Sequence, residues 1–278
     1  MFKKGLILVL MGLFVVVAGP VGADTIDKVR KRGEIVVGVK ADYRPWGFRD
    51  TNGNLIGLEI DLAKEVAEKL GVSIRLVAVQ TSNRMQFLES GRLDMFIATM
   101  TDRADRRKVV GIVTPNYYSS GTNGMTLKSH GFKAWEETRG KPVCSKQGSF
   151  FNKKMEQTYG MKLVSFVNNT EAKHALRDKR CLVWMLDDSS IQADLQLDMW
   201  KDYQMPFKTI DAASWGIAVP KAEQEGVFGR FMSGMVHDWH VSGRLVELEK
   251  KWGIKSTAYL REMHELYKKA ATHGSLLK

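Results

Sequence analysis

The sequence predicts an α/β protein in which two doubly wound lobes are joined by two chain crossings. Three observations support this prediction. Short apolar runs alternate with stretches of helical apolar spacing, the alternation occurs in two successive blocks, and a further strand and two amphipathic stretches follow the second block. Alternating strands and helices are typical of parallel sheets that carry helices on both faces. A chain of 278 residues is long enough to bury two such cores.

The first 23 residues have the pattern of a secretory signal peptide. Lys3 and Lys4 precede an apolar run over residues 5–18, and small residues follow at positions 21–23. Cleavage is expected after Ala23. Because the apolar run is short for a membrane span, we expect an exported, soluble mature chain of about 255 residues in the periplasm.

The first block starts with a predicted buried strand at residues 34–40, which is followed by an aromatic segment and a turn. Apolar residues then repeat at helical spacing until Gly71 ends the repeat. The rest of the block is predicted to form a strand at residues 73–80, a short helix at 83–90 and a strand at 93–98. This order is that of a doubly wound sheet.

The second block has predicted strands near Val143, Val164 and Val183, with helical stretches between them. A strand at residues 216–219 and two helices with apolar stripes follow, and the stripes need the surface of the first block as a partner. We therefore predict a first lobe of residues 24–121 and 215–255, a second lobe of residues 122–214, and a helical tail of residues 256–278. The chain crosses between the lobes at both boundaries of the second lobe.

Charge and motifs exclude several classes of function. The formal net charge is +11, or +9 after the loss of Lys3 and Lys4, and the cations are scattered along the chain. The sequence therefore gives no support for a nucleic-acid partner. Glycine-rich phosphate loops are absent. His237 and His240 share a predicted helix but lack further ligands at metal-site spacing, so we expect a surface pair, no metal and no cofactor.

The two cysteines, Cys144 and Cys181, both remain in the exported chain. An even number of cysteines in an oxidising compartment favours pairing. Each lies in a predicted strand of the second lobe, at residues 142–146 and 181–186. We expect one disulfide between neighbouring strands, and the alternative is two buried free thiols. Neither cysteine has a nearby histidine in the pattern of a thiol hydrolase.

A polar segment directly follows the strand predicted at residues 93–98. Residues 98–107 read ATMTDRADRR and contain two threonines, two aspartates and three arginines. In open α/β sheets, ligands bind at the carboxyl ends of the strands. Two lobes with two crossings place such ends on either side of a cleft, so we expect a small polar ligand between the lobes.

Six segments, in this order along the chain, point to one family. They read VGVKADYRPWGF, GLEIDLAKEVAEKLG, TSNRMQFLESGRLDMFIATMTDRADRR, GKPVCSKQGS, RCLVWMLDDSS and SWGIAVPK. From residue 34 to residue 254 the chain resembles the periplasmic amino-acid-binding proteins of ATP-binding cassette (ABC) importers, family 3 of the extracellular solute-binding proteins. The resemblance implies the type II periplasmic binding protein fold, a free amino acid as ligand, an inner-membrane permease as partner, a monomer, and binding without catalysis.

The resemblance also implies which residues bind the amino acid, whose carboxylate and ammonium must both find partners on leaving water. Arg106 matches the family's carboxylate-binding arginine, whose planar fork can hold both oxygens. Thr101 matches the threonine whose hydroxyl and amide N–H also meet the carboxylate. From the second lobe, Ser149 and Phe150 open a helix whose amides point to the same group. Many relatives have a small or hydroxyl residue where this chain has Phe150, so only its backbone role carries over.

Other positions match the ammonium subsite and the wall of the cleft. Asp187 matches the family's ammonium-binding aspartate, and the carbonyl of Thr99 is expected to accept a hydrogen bond from the same ammonium. Tyr43 is expected to form a wall that packs on the ligand. Trp46 is a weaker candidate for that wall, and Phe48 is expected in the core.

The resemblance also bears on the ligand side chain. In the family the position of Lys40 contacts that side chain, and a basic residue there suits a carboxylate. Arg84 lies in the stretch TSNR, which resembles the form in glutamate- and aspartate-binding relatives but is one residue shorter than the commoner TSxNR. Lys146 matches a position that often faces the cleft, and Asn169 is expected to add a hydrogen bond. We therefore expect a polar amino acid, with an acidic one favoured.

Other interpretations stay open. Asp187 would also suit a helix cap, and Lys40 and Arg84 would also suit solvent-facing positions. Arg103 and Arg107 are expected to form a solvated helix face. Periplasmic cyclohexadienyl dehydratases resemble these binding proteins and accept a small carboxylate, so an enzyme of that kind is the alternative function. Its general acid has no counterpart at a matching spacing in this chain.

Overall fold

A computed structural model describes residues 24–275 of the chain, with side chains up to residue 272. The predicted signal peptide, residues 1–23, and the last residues of the predicted tail lie outside the described residues. Among the residues that are described, no helix combines the length and the apolar character that a membrane crossing requires.

The chain alternates between strands and helices over most of its length. The strands are β1 (Glu34–Val39), β2 (Asp42–Tyr43), β3 (Gly47–Arg49), β4 (Leu55–Ile56), β5 (Ser73–Ala78), β6 (Met95–Phe96), β7 (Gly111–Ile112), β8 (Tyr118–Leu127), β9 (Pro142–Lys146), β10 (Lys162–Phe166), β11 (Val183–Asp187), β12 (Tyr203–Gln204), β13 (Ile210–Trp215) and β14 (Ala218–Val219). The α-helices are α1 (Thr25–Arg32), α2 (Leu58–Leu70), α3 (Arg84–Glu89), α4 (Ala104–Arg107), α5 (Asn152–Tyr159), α6 (Asn169–Arg177), α7 (Asp188–Asp194), α8 (Val227–Ser242), α9 (Arg244–Lys251) and α10 (Ala258–Ser275).

The first lobe is built on a sheet with the strand order β5-β1-β6-β14-β7. Strands β5, β1 and β6 run parallel, and β14 pairs antiparallel with β6 and β7. Strand β1 is apolar along its length and buried because helices cover the sheet. Helix α2 buries the stripe that contains Ile60, Ala63 and Leu70, and Gly71 ends it in the left-handed conformation that favours glycine. A separate small sheet, β2-β3-β4, precedes α2.

The second lobe is built on a sheet with the strand order β10-β9-β11-β8-β12, and β13 also pairs with β8. Strands β10, β9 and β11 are parallel, whereas β8 runs antiparallel to β11, β12 and β13. Cys144 on β9 and Cys181, just before β11, form a disulfide with a Cα–Cα distance of 5.6 Å. The predicted disulfide between neighbouring strands is therefore present.

The two crossings between the lobes run side by side. At the start of β8, Tyr118 pairs with Trp215 at the end of β13, and Thr101 of the first lobe forms a bridge to the same Trp215. Trp46 packs edge-on against both rings, with centroid distances of 4.2 and 4.9 Å. This aromatic cluster fixes the place where the chain leaves and re-enters the first lobe.

The predicted α/β class and the two sheet-containing lobes are confirmed, but neither sheet is purely parallel. The crossing strand β8 enters the second sheet antiparallel to β11, and the returning strand β14 enters the first sheet antiparallel to β6. An apolar run does not reveal the direction of a strand, so the sequence could not show this. The predicted strand at residues 93–98 is also shorter, with only Met95–Phe96 paired.

Candidate functional site

The polar segment after β6 forms one wall of the space between the lobes. Thr99 and Thr101 are buried there, and Arg106 of the short helix α4 is only 7% exposed. Its Nη1 donates to the carbonyl oxygen of Thr101 at 3.0 Å. From α3, the Nη1 of Arg84 donates to the carbonyl oxygens of Ala98 and, at 3.3 Å, Thr99. The backbone therefore holds both guanidinium groups in place.

Behind this wall lies Glu59, which the sequence analysis missed. Its Oε1 accepts hydrogen bonds from the backbone N–H of Thr99, at 2.7 Å, and from the hydroxyl of Tyr117. Thr99 has a φ of 50°, an unusual value for a β-branched residue, and the bond to Glu59 helps to hold it there. Burial raises the pKa of Glu59 to about 7. The signal was present in the sequence, because Glu59 falls on the buried stripe of α2 with Leu62 and Ala63.

The second lobe forms the opposite wall from the carboxyl ends of β9 and β11. Asp187, the last residue of β11, is 7% exposed, and its Oδ2 accepts a hydrogen bond from the hydroxyl of Tyr43 in the first lobe. Lys146, the last residue of β9, is buried and has its Nζ 4.2 Å from the centroid of the Tyr43 ring. Among residues 24–275, no hydrogen bond or ion pair of this ammonium is found. Ser149 and Phe150 lie in the turn before α5 and do not open the helix as predicted, because the backbone N–H of Ser149 donates to the carbonyl oxygen of Lys146 at 3.3 Å.

These two walls face each other across a cavity of about 20 Å³. That is room for about one water molecule, so an amino acid enters only when the walls move apart. Of the predicted site residues, the structure brings together those that line the cavity, namely Tyr43, Arg84, Thr99, Thr101, Arg106, Lys146, Ser149, Phe150 and Asp187. Thr81 and Phe151 also line it and were not predicted.

Two predicted residues lie near the cavity without lining it. Lys40 is completely buried, and its Nζ donates to the hydroxyl of Thr81 at 2.9 Å. Asn169 starts α6, and its backbone N–H donates to Asp42 of the first lobe at 2.5 Å. Neither polar atom of the buried Asn169 side chain has a hydrogen-bond partner in the described chain. Lys40 thus stands behind the cavity wall, whereas Asn169 lies at the contact between α6 and Asp42.

The cavity carries an excess of positive charge. Its wall contains three cations, Arg84, Arg106 and Lys146, and one carboxylate, Asp187. Burial lowers the pKa of Arg84 to about 9 and that of Lys146 to about 8, so both remain charged at neutral pH. Burial raises the pKa of Asp187 to about 6, against the lowering effects of the Tyr43 hydrogen bond and of Lys146. A ligand in this cavity meets ionised groups of both signs.

The aromatic residues near the cleft divide into wall and core. Tyr43 lines the cavity, whereas Trp46 is fully buried in the cluster at the crossings. Phe48 is half-buried, with its ring 5.9 Å from that of Trp252, so it is not as enclosed as predicted. Arg107 is half-buried in an ion pair with Asp102, and so is not part of a fully solvated helix face.

The prediction of a surface histidine pair is wrong for His240. His237 is half-buried, but His240 is 1% exposed and its Nε2 lies 2.8 Å from the carbonyl oxygen of Asn116, near the crossing. The prediction failed because the buried face of α8 includes His240, which lies one turn after Val236. Within the described residues, no group of three or more histidine, cysteine or carboxylate side chains is arranged to hold a metal ion.

A larger groove elsewhere between the lobes is open to solvent. It is lined by residues that include Phe48, Arg177 and Trp200. Its charges are exposed or already paired, as in the ion pair between Lys173 and Asp194 at 3.1 Å. The enclosed cavity, with buried groups of both signs and free hydrogen-bonding capacity, is therefore the better candidate for a specific ligand site.

Comparisons with known proteins agree with the fold. The model of the bacterial extracellular solute-binding proteins, family 3, matches residues 35–255. The chain is 26% identical to the ABC transporter glutamine-binding protein of Bacillus subtilis (strain 168), over 82% of this chain and 84% of that protein. It is 22% identical to the glutamate/aspartate import solute-binding protein of Salmonella typhimurium, over 84% of this chain and 80% of that protein. A crystal structure of a mutant of ArgBP from T. maritima superimposes with a TM-score of 0.76 at 29% identity, over 82% and 98% of the two chains.

Two α/β lobes around a charged cavity define an amino-acid-binding protein with the type II periplasmic binding protein fold. The chain belongs to family 3 of the bacterial extracellular solute-binding proteins, whose model covers most of its length. Relatives named for different amino acids share the family, so membership alone does not choose the ligand.

Proposed function

We propose that this protein is the substrate-binding component of an ABC importer and that it binds an acidic amino acid between its two lobes. The observation that carries the choice of ligand is the charge of the cavity, where three cations face one carboxylate. A net positive cavity is costly to keep dry, and a ligand of net negative charge offsets that cost.

The common part of the amino acid is assigned to the groups that carry opposite charges on opposite walls. Arg106 and Thr101 receive the α-carboxylate, together with the backbone amides at Ser149 and Phe150. Asp187 receives the α-ammonium and keeps the hydrogen bond from the hydroxyl of Tyr43. The carbonyl of Thr99, fixed through Glu59, is the second acceptor for the ammonium.

The ligand side chain is assigned to the remaining cations. Arg84 and Lys146 line the cavity, and Lys146 has an unused ammonium that can donate to a side-chain carboxylate. Lys40 supports this subsite from behind through Thr81. Asn169 is assigned to the same subsite, because neither polar atom of its buried side chain has a partner in the described chain. An arginine ligand would instead add a fourth cation.

The proposal extends to the cellular setting. Residues 1–23 direct export and are removed, the mature protein works in the periplasm as a monomer, and the closed form delivers the amino acid to an inner-membrane permease. The support is the signal-peptide pattern of the sequence and the family, whose members are named as extracellular proteins and include import proteins.

A ligand screen tests the proposal. The mature chain is melted in the presence of each of the twenty amino acids, because a ligand that binds only the folded state raises the melting temperature. Glutamate or aspartate should give the largest shift, and calorimetry should show at least tenfold weaker binding of glutamine. Tight binding of arginine, or no shift with any amino acid, contradicts the proposal. Incubation with prephenate or arogenate checks the dehydratase alternative and should yield no aromatic product.

A further inference from the structure

Phe150 separates the enclosed cavity from an open groove outside it. The same side chain lines both spaces, together with Phe151. The outer groove is otherwise lined by residues of both lobes, among them Arg103, Lys154 and Asp211. Phe150 and Phe151 therefore lie between the cavity and this groove.

The ring is held from two sides. Arg103 of the first lobe has its Cζ 5.5 Å from the centroid of the Phe150 ring, so a cation–π contact joins the lobes at this point. Phe151, which is 2% exposed and anchored in the core of the second lobe, meets Phe150 edge-on with centroids 5.2 Å apart. Arg103 is itself oriented by an ion pair with Asp105 at 3.0 Å.

The position of the ring along the cavity decides what it blocks. Arg103 directly precedes α4, the helix that carries Arg106, so the Phe150–Arg103 contact lies beside the arginine assigned to the α-carboxylate. The cations assigned to the ligand side chain come from other elements, α3 and β9. The ring therefore closes the carboxylate end of the cavity.

We propose that Phe150, braced by Arg103 and Phe151, restricts the site to ligands with a free α-carboxylate and excludes peptides extended at that group. This inference rests on the proposed function, because it needs an amino acid whose carboxylate lies at Arg106. A residue added through an α-peptide bond would have to pass through the space that the Phe150 ring fills. A residue added at the γ-carboxylate would collide with the wall at Arg84 and Lys146, where Phe150 has no influence.

The test compares three ligands on the full mature chain by calorimetry: L-glutamate, α-L-glutamylglycine and γ-L-glutamylglycine. The wild type should bind glutamate and neither dipeptide. Phe150→Ala, which opens the cavity to the groove, should gain at least tenfold in affinity for the α-linked dipeptide and nothing for the γ-linked one. Phe150→Ser is a second variant that also removes the ring but leaves a polar side chain beside the open groove. Arg103→Gln removes the cation that contacts the ring and should show a smaller gain in affinity for the α-linked dipeptide.

Phe166→Ala is the matched control. The Phe166 ring also contacts an arginine, with the Cζ of Arg180 5.5 Å from its centroid, but Phe166 lies on β10 and does not line the cavity. The Phe166→Ala variant should therefore bind the same ligands as the wild type. If both Phe150 variants fold and bind glutamate without gaining the α-linked dipeptide, the inference is overturned and the proposed function stands. If the wild type binds a different amino acid, the α-glycyl dipeptide of that amino acid replaces the glutamyl one. If the wild type binds no amino acid, the proposed function fails and the inference fails with it.

Discussion

The two walls of the cavity differ in how their polar groups are held. In the first lobe, Arg84 and Arg106 donate to backbone carbonyls of their own lobe, and Glu59 accepts from Thr99 and Tyr117 of the same lobe. In the second lobe, the corresponding groups reach across. Asp187 bonds to Tyr43, and Asn169 bonds to Asp42, both in the first lobe.

This difference assigns separate tasks to the lobes. The first wall is already ordered by its own backbone, which lowers the cost of binding a carboxylate there. In the second wall, Asp187 and the backbone of Asn169 bond to the first lobe, so these two contacts exist only when the lobes are together. A ligand that bridges the walls therefore favours the closed arrangement, since it makes contacts that an open form cannot make.

The largest effect is expected from the ordered wall. Arg106→Ala removes the buried guanidinium that meets the ligand carboxylate, and truncating one member of such a pair costs about 2–5 kcal/mol. Affinity for the preferred amino acid should fall by roughly two to three orders of magnitude in calorimetry, with an unchanged circular dichroism spectrum. Arg107→Ala is the control, because Arg107 pairs with Asp102 outside the cavity. Equal losses in both variants would contradict the assignment.

The opposite wall should show a smaller loss of affinity. Asp187→Asn keeps an acceptor for the ammonium but removes the charge, and a hydrogen bond to a charged group contributes about 1.5–3 kcal/mol. Affinity should fall by roughly 10- to 100-fold. Asp188→Asn is the control, because Asp188 instead accepts from Ser120 and Gly121 in its own lobe. Retained affinity in Asp187→Asn would show that the ammonium lies elsewhere.

The Asp187→Asn variant should be more stable than the wild type when no ligand is present. Burial raises the pKa of Asp187 from 3.8 to about 6, so its ionised form is disfavoured in the folded protein. The wild type is therefore penalised fully above pH 6, by at most about 3 kcal/mol, and the penalty disappears as the pH falls below about 4. Urea unfolding of both proteins at pH 7.5 and pH 4 measures this difference. If the difference in free energy of unfolding between the two proteins were larger at pH 4 than at pH 7.5, the raised pKa of Asp187 would be contradicted.

A change of selectivity is expected from Lys146→Met. The substitution removes a cation from the cavity but keeps a long side chain beside the Tyr43 ring. The preference for glutamate over glutamine should fall by about tenfold, because one charge-assisted hydrogen bond to the ligand side chain is lost. Competition calorimetry with the two ligands checks this result. An unchanged ratio would place the side-chain carboxylate away from Lys146.

The smallest effect compares two tyrosines that donate to carboxylates. Tyr43→Phe removes a hydroxyl that bonds across the lobes, whereas Tyr117→Phe removes one that bonds to Glu59 within the first lobe. Each bond contributes about 1 kcal/mol. Tyr43→Phe should weaken ligand binding two- to fivefold with little change in melting temperature, and Tyr117→Phe should lower the melting temperature with little change in binding. If Tyr43→Phe instead lowered the melting temperature and Tyr117→Phe weakened binding, the proposed difference between the two walls would be contradicted.

Much of the fold follows from the sequence because apolar periodicity reports burial directly. Strand β9 has the predicted bounds, and α2 ends at Gly71 as predicted. Strand direction and pairing depend on contacts distant in sequence, so the antiparallel pairing of β8 and β14 was not predicted, although a strand was expected at residues 216–219. The small sheet formed by β2, β3 and β4 was read as an aromatic segment with a turn, because its strands have only two or three residues.

The site followed from the sequence only where a family motif marked it. Residues after strand ends, such as Thr101 and Asp187, do line the cavity. Lys40 was expected to contact the ligand side chain, but its Nζ donates to the hydroxyl of Thr81. Thr81, and not Lys40, lines the cavity. Contacts between the lobes, such as that of Arg103 with Phe150, join residues of two separately predicted lobes. No local sequence pattern predicts such contacts.

A crystal structure of the mature protein grown with L-glutamate would test the central claim most directly. The account predicts the ligand between the lobes, with its α-carboxylate on Arg106, its ammonium on Asp187 and its side-chain carboxylate toward Arg84 and Lys146. A ligand bound in the reverse orientation, or in the open groove beside Phe48 and Trp200, would contradict it.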